Sequence, residues 1–282
     1  MEKTDPFESS GASAPSSPSK KEKRTIFSND EIEAWMKEKS SIVSTECIGI
    51  VGTDGTGKSG IALDCRTPEE VEEGKKIIVL DLDGGCIPIK IKYHNNDENI
   101  IVKDPTVYKT DEDGTNVDYN ATMEKIMATV TWLNNKKDSN IKAVILDGCD
   151  KLLKIAEYQM RMDEHIDVNG GVQLRYWNKR NISYFRILEA IKKLPYDKYF
   201  ITHLKEDRET GKTKPAWEKT TSDFLFSILE CKKIEDADGV EFKVHVKKYK
   251  GKTELEGTQI TFCKINKTDK KVDWIGTKTI GL

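Results

Sequence analysis

The sequence predicts an α/β fold, a mostly parallel sheet flanked by helices that finishes in antiparallel strands. Three observations carry this prediction. A glycine-rich segment at 52–59 stands between a strand-like run and a helix-like run. Two further apolar runs, 76–83 and 143–147, are unbroken and end in aspartate, as strands buried on both faces of a parallel sheet do. Beyond residue 224 the runs are short, one alternates strictly, and Asp/Gly or Lys/Gly turns join them, which is the pattern of hairpins.

Taken in order, residues 1–24 form a leader rich in Ser, Pro and Gly that closes on Lys20-Lys21-Glu22-Lys23-Arg24. It has almost no apolar side chain to bury, so disorder is expected there and a single domain over 25–282. Asn29-Asp30-Glu31 predicts the cap of a short helix carrying Ile32 and Trp35. Residues 45–51 read as a strand, 59–63 as the opening of a helix, and 76–83 and 100–102 as strands. Asp118 caps a helix whose Met123, Ile126, Val130 and Leu133 recur at helical spacing. The strand 143–147 and a helix over 151–162 follow. A glycine-bearing loop at 163–171 leads to a helix that buries Ile182, Phe185, Leu188 and Ile191 and stops by Pro195. The strand 198–203 precedes a polar stretch, 205–221, with no periodicity, expected to be a mobile excursion. Strands at 224–229, 240–247 and 258–263, with turns at 236–239 and 250–252, complete the chain.

Composition narrows the function classes. The chain has 282 residues, 37% of them hydrophobic, enough for one sizeable core. There is no apolar run long enough to span a bilayer and no signal-peptide pattern, so a cytoplasmic protein without a membrane partner is expected. The six cysteines form no C-x-x-C pair and read as buried, reduced thiols. A net charge of −2 argues against a uniformly basic nucleic-acid binder, although lysines crowd the C-terminal quarter.

Chemistry enters at Gly52-Thr53-Asp54-Gly55-Thr56-Gly57-Lys58-Ser59, which satisfies every position of the phosphate-binding loop G-x-x-x-x-G-K-[ST]. Glycines allow the tight positive-φ geometry that turns successive N–H groups toward a phosphate at the mouth of a helix. Lys58 is expected to reach the β- and γ-phosphates and Ser59 to ligate Mg2+. The carboxylate of Asp147, delivered by a buried strand to the same sheet edge, is expected to hold the Mg2+ shell. The predicted cofactors are therefore ATP and Mg2+. A GTPase reading is also open to test, because Asp81–Gly84 fits D-x-x-G and both 135–138 and 266–269 fit N-K-x-D. The spacing opposes it: only one helix fits between the loop and Asp81, and both N-K-x-D matches fall at element ends.

The order of these motifs resembles the RecA-like ATPase core over residues 45–265. The segment Ile201-Thr202-His203-Leu204-Lys205-Glu206-Asp207 is similar to phage-encoded members of that family, including Sak-type single-strand annealing proteins. The resemblance implies that Asp83, second acid of Asp81-Leu82-Asp83, polarises the attacking water, and that Phe200-Ile201-Thr202-His203 is the sensor strand. His203 also reads as an ordinary strand-end histidine. The resemblance further implies a homo-oligomer with nucleotide between subunits, in which Lys248 and Lys250 reach the neighbour's γ-phosphate. Those lysines equally read as charge solubilising a hairpin. Two loops, 163–177 and 205–221, are implied to line a path for single-stranded DNA. Arg175, Tyr176, Trp177, Lys179 and Arg180 flank the first, and Lys205, Arg208, Lys212, Lys214, Trp217 and Lys219 occupy the second; Trp177 also suits the buried start of its helix. The chain departs from the family in having Asp83 for glutamate and His203 for glutamine, with no F-x-x-A tether in the leader and no separate DNA-binding domain. The function expected is an ATP-hydrolysing, phage-encoded protein acting on single-stranded DNA in recombination, annealing or replication. The alternatives are a nucleotide-gated scaffold that touches no nucleic acid and a KaiC-like or kinase-like enzyme.

Overall fold

The structure is a computed structural model that describes residues 28–37, 45–111, 114–207, 211–269 and 271–276. The leader expected over 1–24 lies outside the described residues. Helix α1 (Asn29–Lys37) begins one residue earlier in its capping than the sequence suggests. Ser28 is the cap: its Oγ accepts from the Glu31 N–H, and the Glu31 carboxylate accepts from the Ser28 N–H, a reciprocal capping box.

From residue 45 onward the elements run β1 (Cys47–Gly52), α2 (Lys58–Leu63), α3 (Pro68–Glu72), β2 (Lys76–Asp81), α4 (Cys86–Tyr93), β3 (Ile100–Lys103), β4 (Tyr108–Asp111), β5 (Gly114–Val117), α5 (Tyr119–Lys136) and β6 (Ile141–Asp147). They continue through α6 (Cys149–Asp163), α7 (Leu174–Lys192), β7 (Asp197–Glu206), β8 (Thr213–Pro215), α8 (Thr221–Phe224), β9 (Ser227–Glu235), β10 (Gly239–Tyr249), β11 (Gln259–Asn266) and β12 (Val272–Trp274). The main sheet has the order β12-β11-β10-β9-β1-β7-β6-β2-β3, with β8 paired to β7, while β4 and β5 form a separate hairpin. Strands β9, β1, β7, β6, β2 and β3 are parallel, and β10, β11 and β12 are antiparallel. The expected fold class, parallel with an antiparallel finish, is what the pairing shows.

Alternate side chains of each parallel strand feed two apolar cores, one on each face of the sheet. Val144 and Leu146 of β6 join Leu133, Leu152, Leu188 and Phe200 on the face covered by α5, α6 and α7. Ala143 and Ile145 join Ile50, Ile61, Ile77 and Phe262 on the face covered by α2 and α4. Asp118 caps α5 as predicted, accepting from the Ala121 N–H.

Three expectations are corrected. Helix α7 buries Tyr184, Ile187, Leu188 and Ile191, whereas Ile182 is 68% exposed. The inward stripe is therefore rotated from the expected one, because α5 and α6 decide which side faces in. The stretch 205–221 is not a structureless excursion: β8 pairs back on β7, and Trp217 is buried. The run 224–229 divides into the end of α8 and the start of β9. Both N-K-x-D matches lie where the spacing argument puts them, Asn135 in the last turn of α5 and Asn266 at the end of β11. Among the described residues no helix is long and apolar enough to cross a membrane.

Candidate functional site

The site lies at the C-terminal edge of the parallel strands. Residues 52–59 leave β1 and turn into α2 through Gly57, whose φ of 85° belongs to the left-handed region where only glycine is comfortable. Thr56 Oγ1 donates to the Thr53 carbonyl at 2.8 Å, and the Lys58 ammonium, 7% exposed, donates to the same carbonyl at 2.9 Å. A buried cation whose hydrogen bond goes to a neutral loop carbonyl is suited to exchange it for a phosphate oxygen, the stronger charge-assisted acceptor.

Ser59 Oγ donates to Asp147 Oδ2 at 2.6 Å, which joins the first turn of α2 to the end of β6. Cys86 Sγ donates to the same carboxylate oxygen at 3.1 Å. Asp81, Cys86 and Asp147 form a buried cluster with ligand atoms within 4.8 Å of one another. Its chemistry fits Mg2+ better than a soft metal. Burial and the two neighbouring carboxylates push the Cys86 thiol far above its ordinary value, so it stays a donor to Asp147 and offers no thiolate. Asp81 accepts from the Gly84 and Cys86 N–H groups at 2.7 and 2.9 Å, which ends β2 and caps the turn into α4. Ser59 and Asp147 remain as the hard oxygen donors that Mg2+ takes beside phosphate and water. Burial pushes the Asp147 carboxyl up from the ordinary carboxylate value, and Asp81 and Asp83 add to the push against the bonds from Ser59 and Cys86.

Strand β7 lies between β1 and β6, so its end is wedged between the loop and the Asp147 edge. Gly52 pairs with His203 in register. His203 Nε2 is 2.9 Å from Asp54 Oδ1 and 3.3 Å from Asp83 Oδ2, and its Nδ1 is 3.3 Å from Asp150 Oδ2. Thr202 Oγ1 holds the other Asp150 oxygen at 3.2 Å. Lys151 lies 3.8 Å from Asp83. The structure thus brings together Gly52 to Ser59, Asp83, Asp147 and His203 from four separate strand ends.

Lys248 and Lys250 are not among them. Lys248 pairs with Ile228 on β9, beside the start of β1, whereas Gly52 pairs with Cys231 at the other end. Their ammonium groups donate to the carbonyls of Ser222 and Asp223 at 2.6 and 3.1 Å. Within one chain they face away from the loop.

A groove of about 600 Å3 opens beyond β7, lined by Leu153, Arg180, Lys205, Lys214, Glu218 and Lys219. Arg180 lies over the half-buried Trp177 ring at 4.6 Å, and Arg175 over Tyr176 at 4.7 Å. Trp217 also lines the groove, but it is only 5% exposed and packed into the core, so little of its ring is open for stacking. Arg208 lies outside the described residues. Sequence reasoning missed Asp54, Asp150 and Cys86 as partners, because each meets its partner across the sheet and carries no local spacing signal.

A family described as an AAA domain matches residues 44–230. The chain belongs to the AAA domain family. The match contains the phosphate loop, Asp83, Asp147, His203 and the groove, and it stops within β9, before β10 to β12. This AAA domain protein is also similar to the crystal structure of the RadB recombinase, at 16% identity and a TM-score of 0.46, over 80% of this chain and 89% of that one. No curated protein matches it. The AAA domain match spans the phosphate loop, and a nucleotide with Mg2+ is implied.

Proposed function

We propose that this AAA domain protein binds and hydrolyses MgATP at 52–59 and couples hydrolysis to single-stranded DNA in recombination, annealing or replication. The observation that carries the reading is β7 itself: it presents His203 to the loop and, two residues on, Lys205 to the cationic groove. One rigid strand thus joins a nucleotide-facing group to a phosphate-attracting surface.

Lys58 neutralises charge on the terminal phosphates, and Ser59 and Asp147 hold Mg2+, which when bound supplies further neutralisation of that charge. Asp83 takes the proton of the attacking water, and His203 ties that carboxylate to Asp54 of the loop. A homo-oligomer with nucleotide between copies would let Lys248 and Lys250 of one copy stabilise charge on the next copy's phosphate. On the resemblance alone, the reading extends to a phage-encoded annealing protein working in the host cytoplasm. Arg180, Lys205, Lys214 and Lys219 support DNA over the scaffold and kinase-like readings, because clustered cations favour a polyanion.

A gel shift with labelled single strands, with and without ATP and at two salt concentrations, tests the proposal. Binding should depend on ATP and weaken as salt rises. An ATPase that shifts no strand at low salt would leave the nucleotide reading standing and remove DNA from it.

A further inference from the structure

Both nitrogens of His203 face carboxylate oxygens. Nδ1 is 3.3 Å from Asp150 Oδ2, and Nε2 is 2.9 Å from Asp54 Oδ1 and 3.3 Å from Asp83 Oδ2. An ionised carboxylate only accepts, so each nitrogen needs a hydrogen for these contacts to be bonds, and a neutral imidazole has only one. The contacts match a ring that has taken up a second proton, with Asp54 and Asp83 sharing the hydrogen at Nε2. Lys151 lies on the other Asp83 oxygen at 3.8 Å.

The three acids are placed differently. Asp150 stands in the first turn of α6, and adjacent residues of β7 take both of its oxygens: Thr202 Oγ1 donates to Oδ1 at 3.2 Å, and His203 Nδ1 donates to Oδ2. The partner of one ring nitrogen decides which nitrogen keeps its hydrogen, so with Nδ1–H held on Asp150 the end free to load and unload is Nε2. At that end the Asp83 side chain is 23% exposed and the Asp54 side chain 93%. One acid is shielded and the other opens to water.

Resting on the reading of Asp83 as the group that deprotonates the attacking water, we infer that Asp150, His203 and Asp54 form the proton exit of the site. Asp83 gives its proton to Nε2: the Asp83 O–H bond breaks, the Nε2–H bond forms, and Asp83 is ionised again. The imidazolium so formed is balanced by Asp150. The Nε2–H bond then breaks as Asp54 takes the proton and releases it to solvent, which returns the ring to its neutral form. His203 is the proton carrier, and Asp150 is a positioning residue that acts through the ring, as the buried aspartate of an acyl-transfer triad acts through its histidine. A purely structural role for Asp150, supporting the N-terminus of α6, would lower Tm and leave kcat unmoved.

The test is steady-state MgATP hydrolysis by the full chain as wild type, Asp150→Asn, His203→Gln and the double variant, with Tm measured beside it. Asparagine keeps the size of Asp150 and one acceptor oxygen but removes its charge. Each single variant should lose about 10- to 100-fold in kcat, because Asp83 still takes the first proton and only its unloading is slowed, with KM within about twofold of wild type. The double variant should be no slower than the slower single one by more than about threefold, since both changes break one relay. Added imidazole should raise the kcat of His203→Ala in proportion to its concentration and leave Asp83→Asn unchanged. Wild-type kcat in Asp150→Asn or His203→Gln, losses that multiply in the double variant, or no imidazole rescue overturns the exit. A raised KM at unchanged kcat also overturns it, because the cluster would then only clamp the loop. If Asp83→Asn hydrolyses ATP at the wild-type rate, or the wild-type protein hydrolyses none, the reading of Asp83 fails first and the exit falls with it.

Discussion

Gly49→Ala should disturb the cationic groove while sparing the phosphate loop three residues away. Gly49 lies inside β1, paired with Phe200 on one side and Ile228 on the other. A Cβ there would stand 2.6 Å from Leu225 Cδ1 and 2.7 Å from Trp217 Cη2. Carbon atoms rest about 3.5–4.0 Å apart, so the added methyl overlaps both neighbours by about 1 Å. Leu225 is 0% and Trp217 5% exposed, and since Trp217 borders the groove, any relief of the clash moves the indole toward it. Overpacking of this kind costs about 1–3 kcal/mol, which lowers Tm by about 2–4 °C per kcal/mol in a large single domain. The functional effect follows from the chain: Ala216, next to Trp217, donates its N–H to the His203 carbonyl at 2.8 Å, so displacing the indole strains the groove floor against β7. Thermal melting should show the drop, and strand binding should weaken at unchanged tripolyphosphate affinity. Combining Gly49→Ala with Trp217→Leu should cost less than the two single changes together, because the clash is then partly removed. An unaltered Tm in Gly49→Ala, or additivity within about 0.5 kcal/mol in the double variant, would refute the packing argument.

Three further outcomes are expected. Lys58→Ala should abolish ATP hydrolysis with little change in Tm, and Asp83→Asn should keep ATP binding while slowing hydrolysis by about 10²–10⁴-fold; wild-type turnover in either variant at saturating MgATP removes that residue from the site. Because burial raises the Asp147 carboxyl in the folded state, the native protein keeps this proton at pH values where the unfolded chain has lost it. Without nucleotide, stability should therefore fall as pH rises from the unfolded value through the raised one. Asp147→Asn should flatten that part of the Tm-against-pH curve and weaken Mg2+-dependent ATP binding, and an unchanged slope would count against the buried-carboxylate account. Finally, an inactive Lys248→Ala/Lys250→Ala protein mixed with inactive Lys58→Ala protein should regain ATPase activity, since mixed interfaces combine an intact loop with intact lysines. Mixed oligomers that never exceed either parent would exclude the trans role.

What residues 52–59 are was legible from their order alone, because a phosphate loop is made by the backbone of eight consecutive residues. The same holds for β2 and β6, whose unbroken apolar runs mark burial on both faces, and for the β9–β10 and β10–β11 hairpins, whose turn residues are adjacent. Sequence spacing also placed Asp118 at its cap, since capping reaches only three residues ahead. It could not show that β7 inserts between β1 and β6, because strand order is chosen by how the helices cover the two faces. That choice sets His203 among Asp54, Asp83 and Asp150, and it brings Cys86 onto Asp147 from 61 residues away. It also assigns Asp81 to a turn and leaves Asp83 beside His203, a division invisible in Asp81-Leu82-Asp83. Trp217 reads as a stacking residue in a polar stretch until Gly49 leaves room for its ring under the sheet. That Lys248 and Lys250 lie at the opposite sheet edge from their own chain's loop follows from the antiparallel register and is not written in any local spacing. Chemistry held within a few residues is written in the chain, whereas contacts between distant strands exist only after the sheet has settled which strands are neighbours.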